Sequence, residues 1–497
     1  MSVKKLLLIF LALLLFSTLL FSCDEGSGDD EGASEGGEGG EEGGEEGEGG
    51  EEDAPVTEPE PKPDTTVYDS DPDFDYLTSD LSSYIELPES AYLNYTCNLK
   101  ISGPRLGEDG GLSDVDIYIL SLLRAAKSEE PASEGFVPEG VIGAGDFVKI
   151  YYRGYVVGDD GELTEKAGMC NFEGNAQNLE IGSGNFVPGF ELNLVGKNPK
   201  DFARFSDLDG EGKLPEGKTA LTVECYFPYN YHSADLQNRN AIFEVYVEGI
   251  LDYTAPDWDT EFLTSYLEGR TDVTEEKLRE YEGENICEQF EAYYAEKLLE
   301  GYESQKESLA MEALAESFFG AVKVLKYPKV RVEGFMKPYV DEITASYEKN
   351  GGILNGNTYS TLASYACAYL DITMLTTDWQ GYLRDAAKSH VSQRLVIYYI
   401  MKELDLLPTK TELDGKVEEI KAEYYAEYAR QMLEIKGKTP EEATEEEYTA
   451  LIEEAKEIFD DYGYDYFADN YVYETILKEL MKSVTIKTLE DEPSAEE

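Results

Sequence analysis

Histidine, the side chain that most often acts as a general base, is sparse in this chain of 497 residues. The chain contains two histidines, His232 and His390, far apart in the sequence. Zinc sites and general bases built on histidine need several close partner side chains, and this spacing does not indicate them. The segment Asp207-Leu208-Asp209-Gly210 hints at a calcium loop, but the later carboxylates of such a loop are missing. We expect a solvated turn there.

The cysteines give no metal or disulfide pattern either. One of the six, Cys23, lies at the end of an apolar N-terminal run, and the other five are scattered without a Cys-x-x-Cys pair: Cys97, Cys170, Cys225, Cys287 and Cys367. Their odd number and wide spacing predict mostly small buried hydrophobic side chains. Nothing in the sequence indicates a cofactor or a metal ion.

An aromatic stretch over residues 141–253 is the candidate for a functional domain. Residues 145–157 alternate apolar and polar types and precede a turn at Gly158–Gly161, which predicts a strand and a hairpin. Residues 178–197 predict a strand, a glycine-rich loop and a short helix, and 220–232 and 241–253 predict two further strands. The expected fold is an antiparallel sheet packed on one short helix.

This stretch resembles the prolyl-isomerase domain of trigger factor, which has an FKBP-type fold. The resemblance is carried by six ordered blocks: Gly145-Asp146-Phe147-Val148, Tyr152-Arg153-Gly154, Phe172-Glu173-Gly174, IGSGNFVPGFE at 181–191, FPYNYH at 227–232 and Ala241-Ile242-Phe243-Glu244-Val245. The chain departs from the family in two ways. A few residues are missing after Gly174, where the family supplies another aromatic, and residues 202–218 look inserted.

The resemblance implies isomerisation of X–Pro peptide bonds, which needs no acid, base or metal. Rotation about an amide is opposed by a barrier of ~18–20 kcal/mol. The twisted amide is less polar than the planar one, so a dry aromatic cleft favours it. By resemblance, the cleft is lined by Tyr152, Phe172, Phe186, Val187, Phe190 and Phe243, Tyr231 closes over it, and Glu173 lies near the substrate carbonyl. Alternatively, these rings are ordinary sheet core, or the shortened cleft binds proline without fast turnover.

Residues 254–487 carry mainly helical patterns. Val417, Ile420, Tyr424, Tyr428 and Met432 repeat at helical spacing, and Thr439-Pro440-Glu441-Glu442 predicts a helix start. Breaks are expected at Asn350-Gly351-Gly352 and Leu407-Pro408-Thr409. The region resembles the helical chaperone domain of trigger factor, with arm-like segments at 327–352 and 386–429. Its many tyrosines suit either loose binding of varied chains or ordinary helix packing.

The N-terminal residues predict a signal segment followed by a disordered tether. Residues 1–22 hold Lys4 and Lys5 and then an apolar run that comes close to bilayer-spanning length. Leu20-Phe21-Ser22-Cys23 resembles the lipobox of bacterial lipoproteins, which implies cleavage before Cys23 and a lipid anchor on its sulfur. Residues 23–65 are mostly Asp, Glu and Gly and predict a disordered spacer, with calcium binding left open.

The expected architecture is therefore α+β and multidomain: an FKBP-like antiparallel sheet with a short helix, then an all-α domain with helical arms. Residues 66–140 form a linking segment, with an extended strand expected within 84–101 and a helix at 112–126. Residues 488–497 form an acidic tail. The ribosome-docking domain of trigger factors is not recognised, so no ribosome contact is expected.

The composition of the chain and its predicted membrane anchor lead to an expected function. The net charge of −63 argues against nucleic-acid binding, whereas 41% hydrophobic residues suffice for packed cores. We expect a foldase anchored on the extracytoplasmic face of a bacterial membrane, which holds unfolded exported chains and isomerises their X–Pro bonds. The alternative is a non-catalytic holdase or peptide-binding lipoprotein with a degenerate cleft. A solute-binding lipoprotein is disfavoured because α/β alternation is missing.

Overall fold

The computed structural model describes residues 65–107, 111–158, 161–172, 176–372, 378–440 and 442–489. The predicted signal segment, Cys23, the tether, Glu173 and most of the acidic tail lie outside these ranges. The chain divides into two compact units. We call residues 98–309 with 486–489 the sheet unit, and residues 65–97 with 310–485 the helical unit.

The α+β expectation is confirmed by the order of the elements. The strands are β1 Tyr68–Asp69, β2 Ile85–Glu86, β3 Thr96–Asn98, β4 Phe147–Val157, β5 Leu163–Cys170, β6 Gln177–Glu180, β7 Leu221–Tyr226, β8 Asn240–Leu251, β9 Lys323–Val324, β10 Tyr327–Pro328, β11 Ile353–Leu354, β12 Asn357–Thr358 and β13 Thr485–Lys487. The helices are α1 Asp114–Ala125, α2 Thr260–Leu267, α3 Glu275–Leu278, α4 Ile286–Ala321, α5 Lys329–Lys349, α6 Leu362–Tyr369, α7 Trp379–Glu403, α8 Lys410–Ile435, α9 Glu445–Phe459 and α10 Tyr464–Met481.

The sheet unit is built on one antiparallel sheet with the order β5-β4-β8-β7, to which β6 adds by pairing with the first part of β4. Alternation along the strands places Val148, Ile150 and Val156 of β4 beside Phe243 and Val245 of β8 in one buried core. Leu120 of the predicted helix α1 packs into the same core. The short helix expected after the glycine-rich loop is a single 3₁₀ turn, Leu192–Leu194.

Helix α1 has a second apolar side within the sheet unit. Tyr118 stacks on Tyr294 of α4 with ring centroids 3.8 Å apart, and both belong to a cluster with Leu263, Leu278 and Phe290. The segment before the sheet therefore joins two cores rather than serving as a loose connection. Helix α4 belongs to this unit up to Leu309 and to the helical unit from Ala310.

The helical unit contains the expected pairs of helices. Both predicted breaks are confirmed, since α5 ends at Lys349 and α7 and α8 flank residues 404–409. Tyr365 of α6 packs with Tyr339 and Ile343 of α5, and Leu451 of α9 packs with Leu433 of α8.

The predicted helix start at Thr439 is wrong. Thr444 and Glu447 form a second capping box, which lies directly before the apolar positions of α9, and the helix begins at Glu445. The upstream residues form a turn instead, in which the Glu442 carboxylate accepts the Thr439 N–H at 3.0 Å.

Residues 65–97 are an integral part of the helical unit. The extended strand expected at 84–101 is wrong over most of its length, because Pro88 begins a 3₁₀ turn that separates β2 from β3. The short strands β1 and β2 pair with β10 and β9 respectively. Leu81, Ile85 and Tyr92 are each at most 2% exposed in the core that α7 and α10 also form.

We predict that Leu81→Ala lowers the free energy of unfolding of the helical unit by about 2–5 kcal/mol, because it leaves a cavity in a fully buried site. Chemical denaturation followed by circular dichroism measures this. Val67→Ala in the same segment is the control, since Val67 is 62% exposed and its loss should change little. Equal effects of the two substitutions would contradict the packing described here.

Candidate functional site

A cleft of about 430 Å³ opens on the core face of the sheet. Tyr152 of β4 and Phe243 of β8 form one side, with ring centroids 6.0 Å apart. Phe186 and Val187 come from the loop after β6, and Tyr231 comes from the loop after β7. Phe190 is fully buried beneath them, 4.3 Å from Phe186 and 5.2 Å from Phe243 between ring centroids. The structure thus brings together six of the eight residues predicted for the site.

The lining of the cleft is uncharged. Within the described part of the chain it consists of Tyr152, Gly168, Met169, Gln177, Gly184, Asn185, Phe186, Val187, Pro188, Phe227, Pro228, Tyr231 and Phe243. The Tyr152 hydroxyl lies 3.3 Å from the Gln177 side-chain oxygen, to which it donates, and burial raises the pKa of Tyr152. The phenol therefore stays neutral near pH 7, and the cleft offers an apolar surface with a few neutral polar groups.

Gly154 allows the side chains of Met169 and Phe243 to pack closely together in the cleft wall. It lies opposite Phe243 in the β4–β8 register, and a Cβ added there would come within 2.6 Å of both the Met169 and the Phe243 side chains. Any larger residue at this position would push these two side chains apart. Met169 itself is 7% exposed and fills the space beside the rings.

Two buried carboxylates of the sheet unit accept hydrogen bonds from loop residues, and one of them, Glu191, binds a loop that lines the cleft. The fully buried Asp146 accepts the N–H of Gly143 at 2.7 Å and of Tyr253 at 2.6 Å, and burial raises its pKa despite these hydrogen bonds. Glu191, 6% exposed, accepts four hydrogen bonds from residues 182–186. Side-chain acceptors therefore help to fix both loops.

The rim residue Tyr231 sits on a tight turn. Its N–H donates to the Pro228 carbonyl at 3.1 Å, its carbonyl accepts the Gln237 amide at 2.8 Å, and its ring packs 4.6 Å from Phe227. The half-buried ring lines the cleft.

Phe172 lies outside the cleft. Its ring packs 5.0 Å from Phe205 and 5.8 Å from Tyr246, on the face of the sheet opposite Tyr152. Phe205 belongs to the inserted segment and stacks on Tyr151 at 3.9 Å, so the insertion builds an aromatic cluster on that face and Phe172 joins it. Glu173, the eighth predicted site residue, lies outside the described residues.

The sequence prediction missed Met169, Gln177, Phe227 and Glu191. Phe227 lies within the block at 227–232, and Glu191 directly follows Phe190. Their positions in the sequence could therefore have indicated that both residues belong to the site. Met169 and Gln177 lie on β5 and β6, whose pairing with β4 decides which residues face the cleft. Their role depends on register, which the sequence pattern left open.

No group of three His, Cys, Asp or Glu side chains in the described ranges is arranged to hold a metal ion. Among the same residues, no helix is both long enough and apolar enough to cross a bilayer.

Comparison with known proteins finds partial sequence similarity to trigger factors. The chain is 26% identical to the trigger factor of Moorella thermoacetica over 62% of its length and 56% of the relative, and 26% identical to that of Geobacter sp. over 65% and 60%. Over about 60% of its length the chain is therefore similar in sequence to trigger factors. A shorter region, 27% of the chain and 25% of the relative, is 36% identical to the trigger factor of Rhodospirillum centenum.

The sequence similarity covers only part of this chain and part of each trigger factor. The chain spans about half the length of the curated trigger factors that match its longer region. No protein-family model matches the chain. A solved trigger factor chaperone, described for promiscuous substrate recognition in folding and assembly, is 15% identical over 80% of this chain and 73% of that one, with a TM-score of 0.29. That score is too low for a comparison of the two folds.

We predict that Gly154→Ala lowers the free energy of unfolding of the sheet unit by about 1–3 kcal/mol, because the added methyl group overlaps Met169 and Phe243. Gly168→Ala is the matched control, since a Cβ there meets nothing within 4 Å. We expect the control to change stability by less than about 0.5 kcal/mol. Thermal unfolding of both variants measures the difference, and equal stability would contradict the close approach at Gly154.

Proposed function

We propose that this protein is a membrane-anchored foldase of the bacterial cell exterior. In this proposal it holds unfolded exported chains and isomerises their X–Pro bonds in the sheet-unit cleft. The observation that carries the proposal is the uncharged aromatic cleft, which combines Tyr152, Phe186, Phe190 and Phe243 around about 430 Å³. Distant homology to trigger factors supports the same assignment.

The mechanism requires binding and desolvation rather than proton transfer. A proline ring entering the cleft would meet the rings of Tyr152, Phe186 and Phe243. The buried Phe190 packs behind these rings and supports them. Since the twisted amide has less dipole than the planar one, removal of water favours it. Among the residues that the structure describes, the lining carries no charge that would stabilise the planar ground state more strongly.

The helical unit would supply the holding function. Its arms carry half-buried tyrosines such as Tyr425 and Tyr428 of α8, whose hydroxyls bond Asp460 at 2.7 Å and Glu454 at 2.9 Å. Such side chains offer apolar faces to an unfolded chain while their hydroxyls stay satisfied. Passive holding of this kind needs no nucleotide.

A second candidate function is a holdase whose cleft binds proline without turnover. The position of Phe172 outside the cleft favours it, because one predicted wall residue is then unavailable to the substrate. A rate measurement separates the two candidates.

We predict that residues 66–497 accelerate the slow refolding phase of a protein limited by X–Pro isomerisation, a phase that takes tens of seconds or longer unassisted. Phe186→Ala and Tyr231→Ala should each reduce this acceleration about tenfold or more, since both remove half-buried cleft rings. Stopped-flow refolding at catalytic concentrations makes the measurement.

Phe172→Ala is the matched control, because it removes a half-buried ring from the same unit outside the cleft. It should leave the acceleration unchanged. An unchanged slow phase with suppressed aggregation of the client would refute the isomerase and support the holdase.

We further predict that Cys23 carries the membrane anchor, as its position after Leu20-Phe21-Ser22 supports. In bacterial cells expressing the chain, labelled fatty acid should be incorporated into the protein and Cys23→Ala should abolish the label. The variant should also leave the membrane fraction. Cys97→Ala serves as the control, and equal labelling of the Cys23→Ala variant would exclude the lipid anchor.

A further inference from the structure

Glu191 is a buried acid in direct contact with one wall of the cleft. Its carboxylate is 6% exposed and accepts the N–H groups of Gly182 at 2.7 Å, Gly184 at 3.2 Å and Phe186 at 3.2 Å. The Ser183 hydroxyl adds a fourth hydrogen bond at 3.2 Å. Both carboxylate oxygens are engaged, and every one of these donors belongs to residues 182–186, which we call the wall loop.

The wall loop depends on an acceptor of this kind. Gly182 and Gly184 adopt φ values of +91° and +71°, which turn successive N–H groups toward one point. Without an acceptor there, the N–H of the buried Gly182 would be unsatisfied, at a cost of about 1–3 kcal/mol, and the N–H groups of Gly184 and Phe186, in partly buried hydrogen bonds, would lose their partner. A carboxylate can accept from several donors at once, and its charge strengthens each bond.

The same turn supplies both the floor of the cleft and the support of its wall. Gly189, with a φ of +92°, is packed so closely that a Cβ would come within 2.8 Å of the Glu224 carbonyl. The following residues, Phe190 and Glu191, then direct their side chains to the cleft floor and to the wall loop respectively. The spacing between floor and wall is therefore set within three consecutive residues.

We propose that Glu191 is the positioning residue of the cleft. Its carboxylate keeps the wall loop in the conformation that places Gly184, Asn185 and Phe186 at the opening before any substrate arrives. The proposal rests on the proposed function of the cleft and adds the group that preorganises it. The gain is in binding, because a loop that is already ordered loses no conformational entropy when the peptide docks.

The consequence for kinetics is specific. Loss of the carboxylate should loosen the wall loop equally for the ground state and the transition state, so KM should rise while kcat changes little. A residue that merely supported the sheet unit would instead reduce the folded fraction, and kcat would fall with the melting temperature.

The test compares the full-length chain with Glu191→Gln and Glu191→Ala. The glutamine keeps the shape but presents an NH₂ group to donors, and the alanine removes the acceptor. We expect hydrogen exchange at Gly182, Gly184 and Phe186 to accelerate about tenfold or more in both variants. For a proline-containing test peptide, KM should rise by a similar factor at nearly unchanged kcat.

Glu248→Gln is the matched control. The Glu248 carboxylate accepts the Phe205 N–H at 3.1 Å, in the aromatic cluster remote from the cleft, so the same chemical change is made elsewhere in the unit. It should leave both wall-loop exchange and KM unchanged.

The outcomes separate this inference from the proposed function. Unchanged exchange in a folded Glu191→Gln variant would overturn the positioning role, as would a fall in kcat that tracks the melting temperature. If both Glu191 variants fail to fold, the carboxylate supports the whole sheet unit and the inference is wrong. An inactive wild-type chain would refute the isomerase, while wall-loop exchange would still decide the role of Glu191.

Discussion

A buried carboxylate beside a buried aromatic ring is the constraint on which the cleft depends. Phe190 requires an apolar environment, whereas Glu191 next to it requires hydrogen-bond donors in place of water. The wall loop supplies these donors, and its glycines allow the backbone to do so. One side of the turn is thus apolar and the other is polar but fully bonded. Floor and wall therefore share one short stretch of backbone.

The sequence was sufficient where local pattern decides structure. Alternation predicted the long strands β4 and β8, and the ordered family blocks placed six residues around one cleft. It failed for Phe172, whose surroundings depend on Phe205 of the insertion, a contact that no local pattern specifies. It failed also at Thr439, where two capping boxes compete and the apolar run after Thr444 decides between them.

The role of residues 65–97 was likewise invisible to sequence analysis, because their partners lie hundreds of positions away. Tyr76 stacks on Tyr398 of α7 at 5.2 Å between centroids, and Arg394 lies over the Tyr76 ring at 4.4 Å. The same arginine pairs with Asp465 at 2.6 Å and Asp469 at 3.0 Å. Burial raises the pKa of Asp469 to about 6 against the opposing effect of Arg394. A segment that carries Tyr76 into such a cluster cannot be a passive linker.

The net charge of the chain affects the approach of other molecules over many ångströms, whereas the uncharged lining of the cleft acts only on a bound peptide. A net charge of −63 influences how charged chains approach, an effect that salt screens beyond about 10 Å. The proposed isomerisation develops no net charge, and the Glu191 carboxylate accepts hydrogen bonds from backbone N–H groups of the wall loop. Ionic strength should therefore act on client encounter rather than on the step within the cleft. A surface this acidic is compatible with an apolar site only because the acids around it are exposed or fully bonded.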